Sequence, residues 1–235
     1  MKRNVLLCLA VLTAGRMVAP ATATVLAHYT FAGGSASSID TDPDSTAGAM
    51  TSAVGGTSGF SSSSSTAYAR RSPETTTAAA TAVSGNDYFQ FTVTPAVGPT
   101  LNLTSLTLNQ YATTTETGDD RWTSYLFVRS DALDNYGSNV DGATFTRGSR
   151  YYDAVTLPAS TAVTLDLSDD AAFQGIDGPV TFRIYLYHAV TTGGTGDFHR
   201  IDDVVLNGTV VPEPSVVPVL FAGLLGVVVC GRRRR

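Results

Sequence analysis

The sequence predicts an all-β domain, an antiparallel β-sandwich of jelly-roll type, set between an export leader and a short C-terminal transmembrane helix. Three observations carry that expectation. Apolar and polar residues alternate with period two in run after run. The runs are rich in β-branched and aromatic residues and bounded by Gly, Asp, Asn and Ser clusters. No stretch before the tail keeps a convincing 3.6-residue rhythm.

Taken in order, Val25, Ala27, Tyr29 and Phe31 alternate with Leu26, His28 and Thr30. Residues 33–82 are mostly Ser, Thr, Ala and Gly, with Ser61–Ser65 and Thr75–Thr77 as uniform runs. Such a stretch buries little apolar surface to offset the entropy of ordering it. Long loops, short edge strands and a glycosylated surface are open readings beside simple compositional drift. Phe89, Phe91 and Val93 then alternate with Tyr88, Gln90 and Thr92. Leu101 and Leu103 keep one phase while Leu106 and Leu108 take the other, which predicts a bulge near Thr104–Ser105. Tyr125–Val128 is apolar on both faces, as in a central strand. Val163, Leu165 and Leu167 alternate again. Val180, Phe182, Ile184 and Leu186 oppose Thr181, Arg183, Tyr185 and Tyr187, and Ile201–Val211 closes the domain. Many short strands in one domain of this length imply a sandwich.

The two ends are of a different kind. Met1-Lys2-Arg3, the apolar run Val5–Ala14 and the sites Ala19-Pro20-Ala21 and Ala21-Thr22-Ala23 are the parts of a secretory signal peptide, cut after Ala23. The apolar run is too short to span a bilayer. The expected divisions are therefore 1–23 leader, 24–211 sandwich and 212–235 tail. Of the 15 basic residues, Lys2, Arg3 and Arg16 belong to the leader, and Arg232, Arg233, Arg234 and Arg235 to the tail. Between Thr24 and Pro214, eight arginines and no lysine then face all 20 acidic residues, a formal charge of −12. That sign repels phosphate backbones and argues against nucleic acid as a partner. Cys8 and Cys230 both lie in the ends, so the domain has neither disulfide nor thiolate chemistry.

In the tail, Pro212-Glu213-Pro214 follows the last strand and holds the chain extended, because proline fixes φ and donates no N–H. Val216–Cys230 is free of charge, and Arg232, Arg233, Arg234 and Arg235 end the chain. As a helix the apolar part is about 23 Å long, slightly under a bilayer core of roughly 30 Å. The positive-inside rule keeps the four arginines cytoplasmic. These three parts, in this order, resemble the sorting tail of PEP-CTERM proteins, although Pro218 interrupts the apolar stretch. The resemblance implies a bacterial envelope protein. It would be anchored in the membrane until an exosortase-type enzyme cuts near the Pro-Glu-Pro, in organisms that make extracellular polysaccharide. It covers only the last residues and says nothing of the domain's ligand.

For the domain itself, no G-x-S-x-G or H-E-x-x-H occurs, and His28, His188 and His199 have no zinc-site spacing. Gly193-Gly194-Thr195-Gly196 reads as a turn rather than a phosphate loop, since no lysine follows it. No catalytic residue is nominated, and the expectation is a non-enzyme that needs no cofactor. Among the acidic clusters, Asp202 and Asp203 open the closing strand, where alternation turns one of them inward. Calcium held by Asp202 and Asp203 is one way to satisfy that carboxylate; pairing with Arg183 or Arg200 is the other, and the favoured one. Arg183, Tyr185 and Tyr187 share a strand face and form a candidate strip for stacking on sugar rings; the competing reading packs the tyrosines under a loop or the other sheet. The leading functional expectation is a structural surface or matrix component. The second is a carbohydrate-binding module for extracellular polysaccharide.

Overall fold

Period-two alternation becomes two layers, antiparallel except where β10 runs parallel to β7, in the computed structural model, which describes residues 22–40, 42–54, 57–70, 78–153, 156–188 and 196–212. Residues 1–21 of the leader, Glu213 and Pro214 of the sorting motif, and the 216–230 stretch lie outside the described residues. So do Arg232, Arg233, Arg234 and Arg235, the expected cytoplasmic end. Among the described residues, no helix is long and apolar enough to cross a membrane. The strands, in chain order, are β1 (Thr22–Tyr29), β2 (Ser45–Ala47), β3 (Thr51–Ser52), β4 (Ser58–Ser61), β5 (Thr66–Arg70), β6 (Tyr88–Pro95) and β7 (Thr100–Thr114). There follow β8 (Thr123–Ser130), β9 (Phe145–Gly148), β10 (Arg150–Tyr151), β11 (Thr161–Asp166), β12 (Val180–His188) and β13 (Phe198–Val211).

The first sheet is organised around its two long strands. β7 and β13 pair antiparallel along almost their whole length. β11 and β10 flank β7, while β5 takes the first part of β13 and β1 the rest. The second sheet runs β2-β6-β12-β8-β9, with β3 also on β6. One apolar cluster joins them: Leu26, Leu103, Leu106, Val163 and Ile201 from the first sheet meet Phe89, Phe91, Val128, Phe182 and Ile184 from the second. The fold is thus a β-sandwich, and residues 21–211 form one compact unit.

Three bulges set which side chains enter that core. Thr104 is the extra residue in β7, since Asn207 faces Ser105 while Gly208 faces Leu103. This is the expected phase change, and it lets Leu103 and Leu106 both point inward. A bulge between Val25 and Ala27 corrects the phase expected of β1. Val25 is left exposed, and Leu26 and Ala27 are both buried. The third bulge, in β13 between Asp202 and Val205, puts Asp203 in the left-handed region at φ 51°.

The Ser/Thr-rich stretch forms, where described, the short strands β2 to β5 and the opening of a helix. That helix, α1 (Ala79–Gly85), has no counterpart in the sequence reading. At barely two turns it cannot display a helical period, and an alanine run carries no amphipathic signal. Ala82 faces inward from it, onto Phe127 and Tyr185 of the second sheet.

Candidate functional site

The outer face of the second sheet is built by β6, β12 and β8 lying side by side. Register places Arg183 between Gln90 and Arg129, Tyr185 between Tyr88 and Phe127, and Tyr187 opposite Tyr125. Cross-strand neighbours on one face touch, so this pattern yields an aromatic ladder with arginines at one end. The Tyr125 and Tyr187 rings stack with centroids 4.7 Å apart. Phe127 and Tyr185 stack at 4.9 Å, nearly parallel, and Tyr88 meets Tyr185 edge-on at 5.2 Å.

Arg183 and Arg129 are cross-strand neighbours of like charge, and each donates to acceptors of its own. Arg183 donates from Nε to Gln90 Oε1 at 2.9 Å, and its guanidinium lies 3.8 Å from the Tyr136 ring and 4.5 Å from that of Tyr88. Arg129 donates to Asn139 Oδ1 at 3.1 Å and to the Tyr136 carbonyl at 2.8 Å. The loop that brings Tyr136 over Arg183 is strained. Asp134, Asn135 and Tyr136 have φ of 51°, 47° and 65°, three successive non-glycine residues in the left-handed region. Each such residue costs on the order of 1–3 kcal/mol and persists only where its surroundings impose it. Burial raises the phenol pKa of Tyr136 and of Tyr187 above the ordinary range, so both remain neutral donors at physiological pH.

Of the expected strip, Arg183 and Tyr187 remain partly exposed and Tyr185 does not. It is 2 % exposed because α1 lies over it, so its ring cannot stack on a ligand. Tyr88, Tyr125 and Tyr136 take part instead, and strand-by-strand reading misses the grouping because it arises from register and from a loop. Trp122 is buried, edge-on to His199 at 4.9 Å, and is likewise unavailable. His188 and His199 are strand residues, but both are buried, and Ser124 Oγ lies 2.7 Å from His199 Nδ1.

Asp202 and Asp203 find neither arginine expected for them. The bulge turns Asp203 outward, where its Oδ1 meets His28 Nε2 at 2.6 Å. Asp202 accepts the Asp203 backbone N–H at 2.7 Å. Arg183 belongs to the other sheet, and Arg200 is held by hydroxyls and aromatic rings. Among the described residues no three His, Cys, Asp or Glu side chains converge as a metal site requires. Burial raises the Asp202 carboxyl pKa, with Asp203's charge adding to it against the hydrogen bond. A raised carboxyl favours the folded state in its protonated form, an advantage lost as pH climbs through the folded-state value. Asp202→Asn is therefore expected to raise Tm slightly at pH 7 and to leave it unchanged at pH 3. Partial exposure and screening hold the gain below about 1 kcal/mol. Thermal melts at the two pH values check it, and a gain confined to pH 3 would contradict the assignment.

No family model matches this chain, and neither does any curated protein. Among solved structures it is similar to one described as giving the "structural basis for the promiscuous specificity of the carbohydrate-binding modules from the beta-sandwich super family". Identity is 15%, over 51% of this chain and 46% of that one, with a TM-score of 0.24. The chain therefore matches less than half of that structure's length, and at that score the likeness carries no argument about ligand or function.

Proposed function

We propose that this chain is an exported, non-catalytic carbohydrate-binding protein whose ligand face is the outer surface of β6, β12 and β8. The observations that support it are Arg183 held between Tyr88 and Tyr136, where a strained loop positions Tyr136, and the partly exposed Tyr125–Tyr187 pair further along the same strands, beyond the α1-covered Tyr185. Aromatic rings present apolar faces to pyranose C–H groups, and arginine donors select hydroxyls around them. The purely structural reading has its own support: the rings on this face already pack on one another, and both arginines have internal acceptors.

Binding of the full chain to a glycan array separates the two readings. Tyr125→Ala with Tyr187→Ala is expected to weaken any bound glycan at least tenfold, since an interface aromatic commonly contributes more than about 1 kcal/mol. No binding by the wild type, or unchanged binding by the double variant, returns the domain to the structural reading.

Our proposal extends to delivery. The jelly-roll sandwich is exported by the 1–23 leader and held in the membrane by 216–230, with Arg232, Arg233, Arg234 and Arg235 on the cytoplasmic side. An exosortase-type enzyme then cuts it near Pro212–Pro214, leaving it at the cell envelope or outside it. Mass spectrometry of the mature protein tests this: a retained four-arginine end would refute the processing step.

A further inference from the structure

The first sheet carries, on its own outer face, an arginine that no carboxylate among the described residues pairs. β13 turns Phe198 and Arg200 to the side opposite His199 and Ile201, and register sets Arg200 between Tyr68 of β5 and Tyr111 of β7. The guanidinium lies 5.0 Å from the Tyr152 ring, 5.3 Å from Phe198 and 5.8 Å from Tyr68. Arg200 is only 7 % exposed. Its Nε donates to Thr113 Oγ1 at 3.3 Å, and its Nη1 to Ser64 Oγ at 3.1 Å and Thr66 Oγ1 at 3.3 Å. Those acceptors are neutral. Among the described residues no carboxylate forms an ion pair with Arg200 and nothing accepts from Nη2.

A buried cation with neutral partners alone is unfavourable, and burial accordingly pulls the Arg200 pKa below its ordinary value. Arg200 also lines a groove of about 420 Å³, together with Tyr68, Phe198, Ser61, Ser62 and Thr57.

We propose that this groove binds the carboxylate of an acidic sugar, a uronate residue, against Arg200. A guanidinium is the cation that best matches a carboxylate, and a charge-assisted bond there forms at a largely desolvated site. The rings of Tyr68 and Phe198 suit sugar C–H faces, and the hydroxyls of Ser61, Ser62 and Thr57 suit a sugar's own hydroxyls, which an acidic peptide does not offer. The formal charge of −12 between Thr24 and Pro214 opposes polyanions, so the ligand is an otherwise neutral glycan carrying isolated uronates. The site shares no residue with the β6–β12–β8 face and stands independently of it.

Calorimetric titration of the full chain with a glucuronate-capped disaccharide and with its methyl ester tests the assignment. The acid is expected to bind at least tenfold more tightly than the ester, and Arg200→Met to abolish that difference. Ser62→Trp, an exposed substitution that leaves Arg200 in place, is expected to block the acid by filling the groove. Tyr125→Ala with Tyr187→Ala is expected to leave the acid preference intact. Equal affinity for acid and ester, or a preference that survives both Arg200→Met and Ser62→Trp, overturns the proposal. So does tighter binding of a short oligoglutamate, which would make the groove a peptide site, or loss of the preference in the double tyrosine variant.

Discussion

Phe182→Ala is expected to remove about 3–5 kcal/mol of stability, the range for truncating a fully buried phenylalanine. Phe182 is the third residue of β12 and is fully buried. Its ring stacks on Phe91 at 5.4 Å and on Phe173 at 5.8 Å, and Phe91 in turn meets Tyr29 of β1 at 5.2 Å. The ring is therefore a link in an aromatic chain that crosses from one sheet to the other. Alanine would leave a cavity walled by strands whose hydrogen-bond ladders resist collapse into it. With cysteines only at positions 8 and 230, no disulfide within the domain cushions the loss. Urea titration reads the effect as a fall in midpoint at constant slope. A loss below about 1 kcal/mol would mean that the core repacks, which contacts on both sides of the ring argue against.

Gly208→Val comes next in expected effect and acts by overfilling. Gly208 lies in β13 where β1 flanks it on one side and β7 on the other, at the register shift. A Cβ there would approach Leu26 Cδ1 to 2.6 Å and the Asn102 carbonyl oxygen to 2.8 Å. Leu26 could turn aside, but the carbonyl is part of the backbone and moves only with the sheet. Overpacking of this kind costs about 1–3 kcal/mol and more when backbone must shift. Gly208→Ala is expected within that range and valine beyond it. Gly178→Ala serves as the control, because a Cβ there meets nothing within 4 Å. Thermal melts of the three variants should rank Gly178→Ala, Gly208→Ala, Gly208→Val in order of falling Tm.

The Leu26–Gly208 contact also shows where sequence reading stops. Alternation in 88–93, 163–167 and 180–186 is legible because each such strand has one face on the core, and the change of phase at Leu106 betrays a bulge in the same strand. In β1 the bulge is imposed by the register against β13, so the letters alone put Val25 inward when the neighbouring strand puts Leu26 there. Tyr185 departs from expectation for a related reason. Its own strand presents it outward, and only a helix from a low-complexity stretch covers it. On the candidate face, Arg183 and Tyr187 could be named from one strand, whereas Tyr136 arrives from a loop. Arg200 likewise gains its surroundings from β5, β7 and the segment after β10.

The short strands β2, β3 and β4 lie on the outer flanks of the two sheets, and all come from the Ser/Thr-rich stretch that buries so little. An open sheet flank invites another chain to add a strand, and lysine is the usual deterrent. This domain has none. Brevity and hydroxyl-rich side chains do the same task here, giving a neighbouring copy too few backbone groups to zip onto. At these flanks a poorly apolar segment thereby offers a neighbouring copy little to pair with.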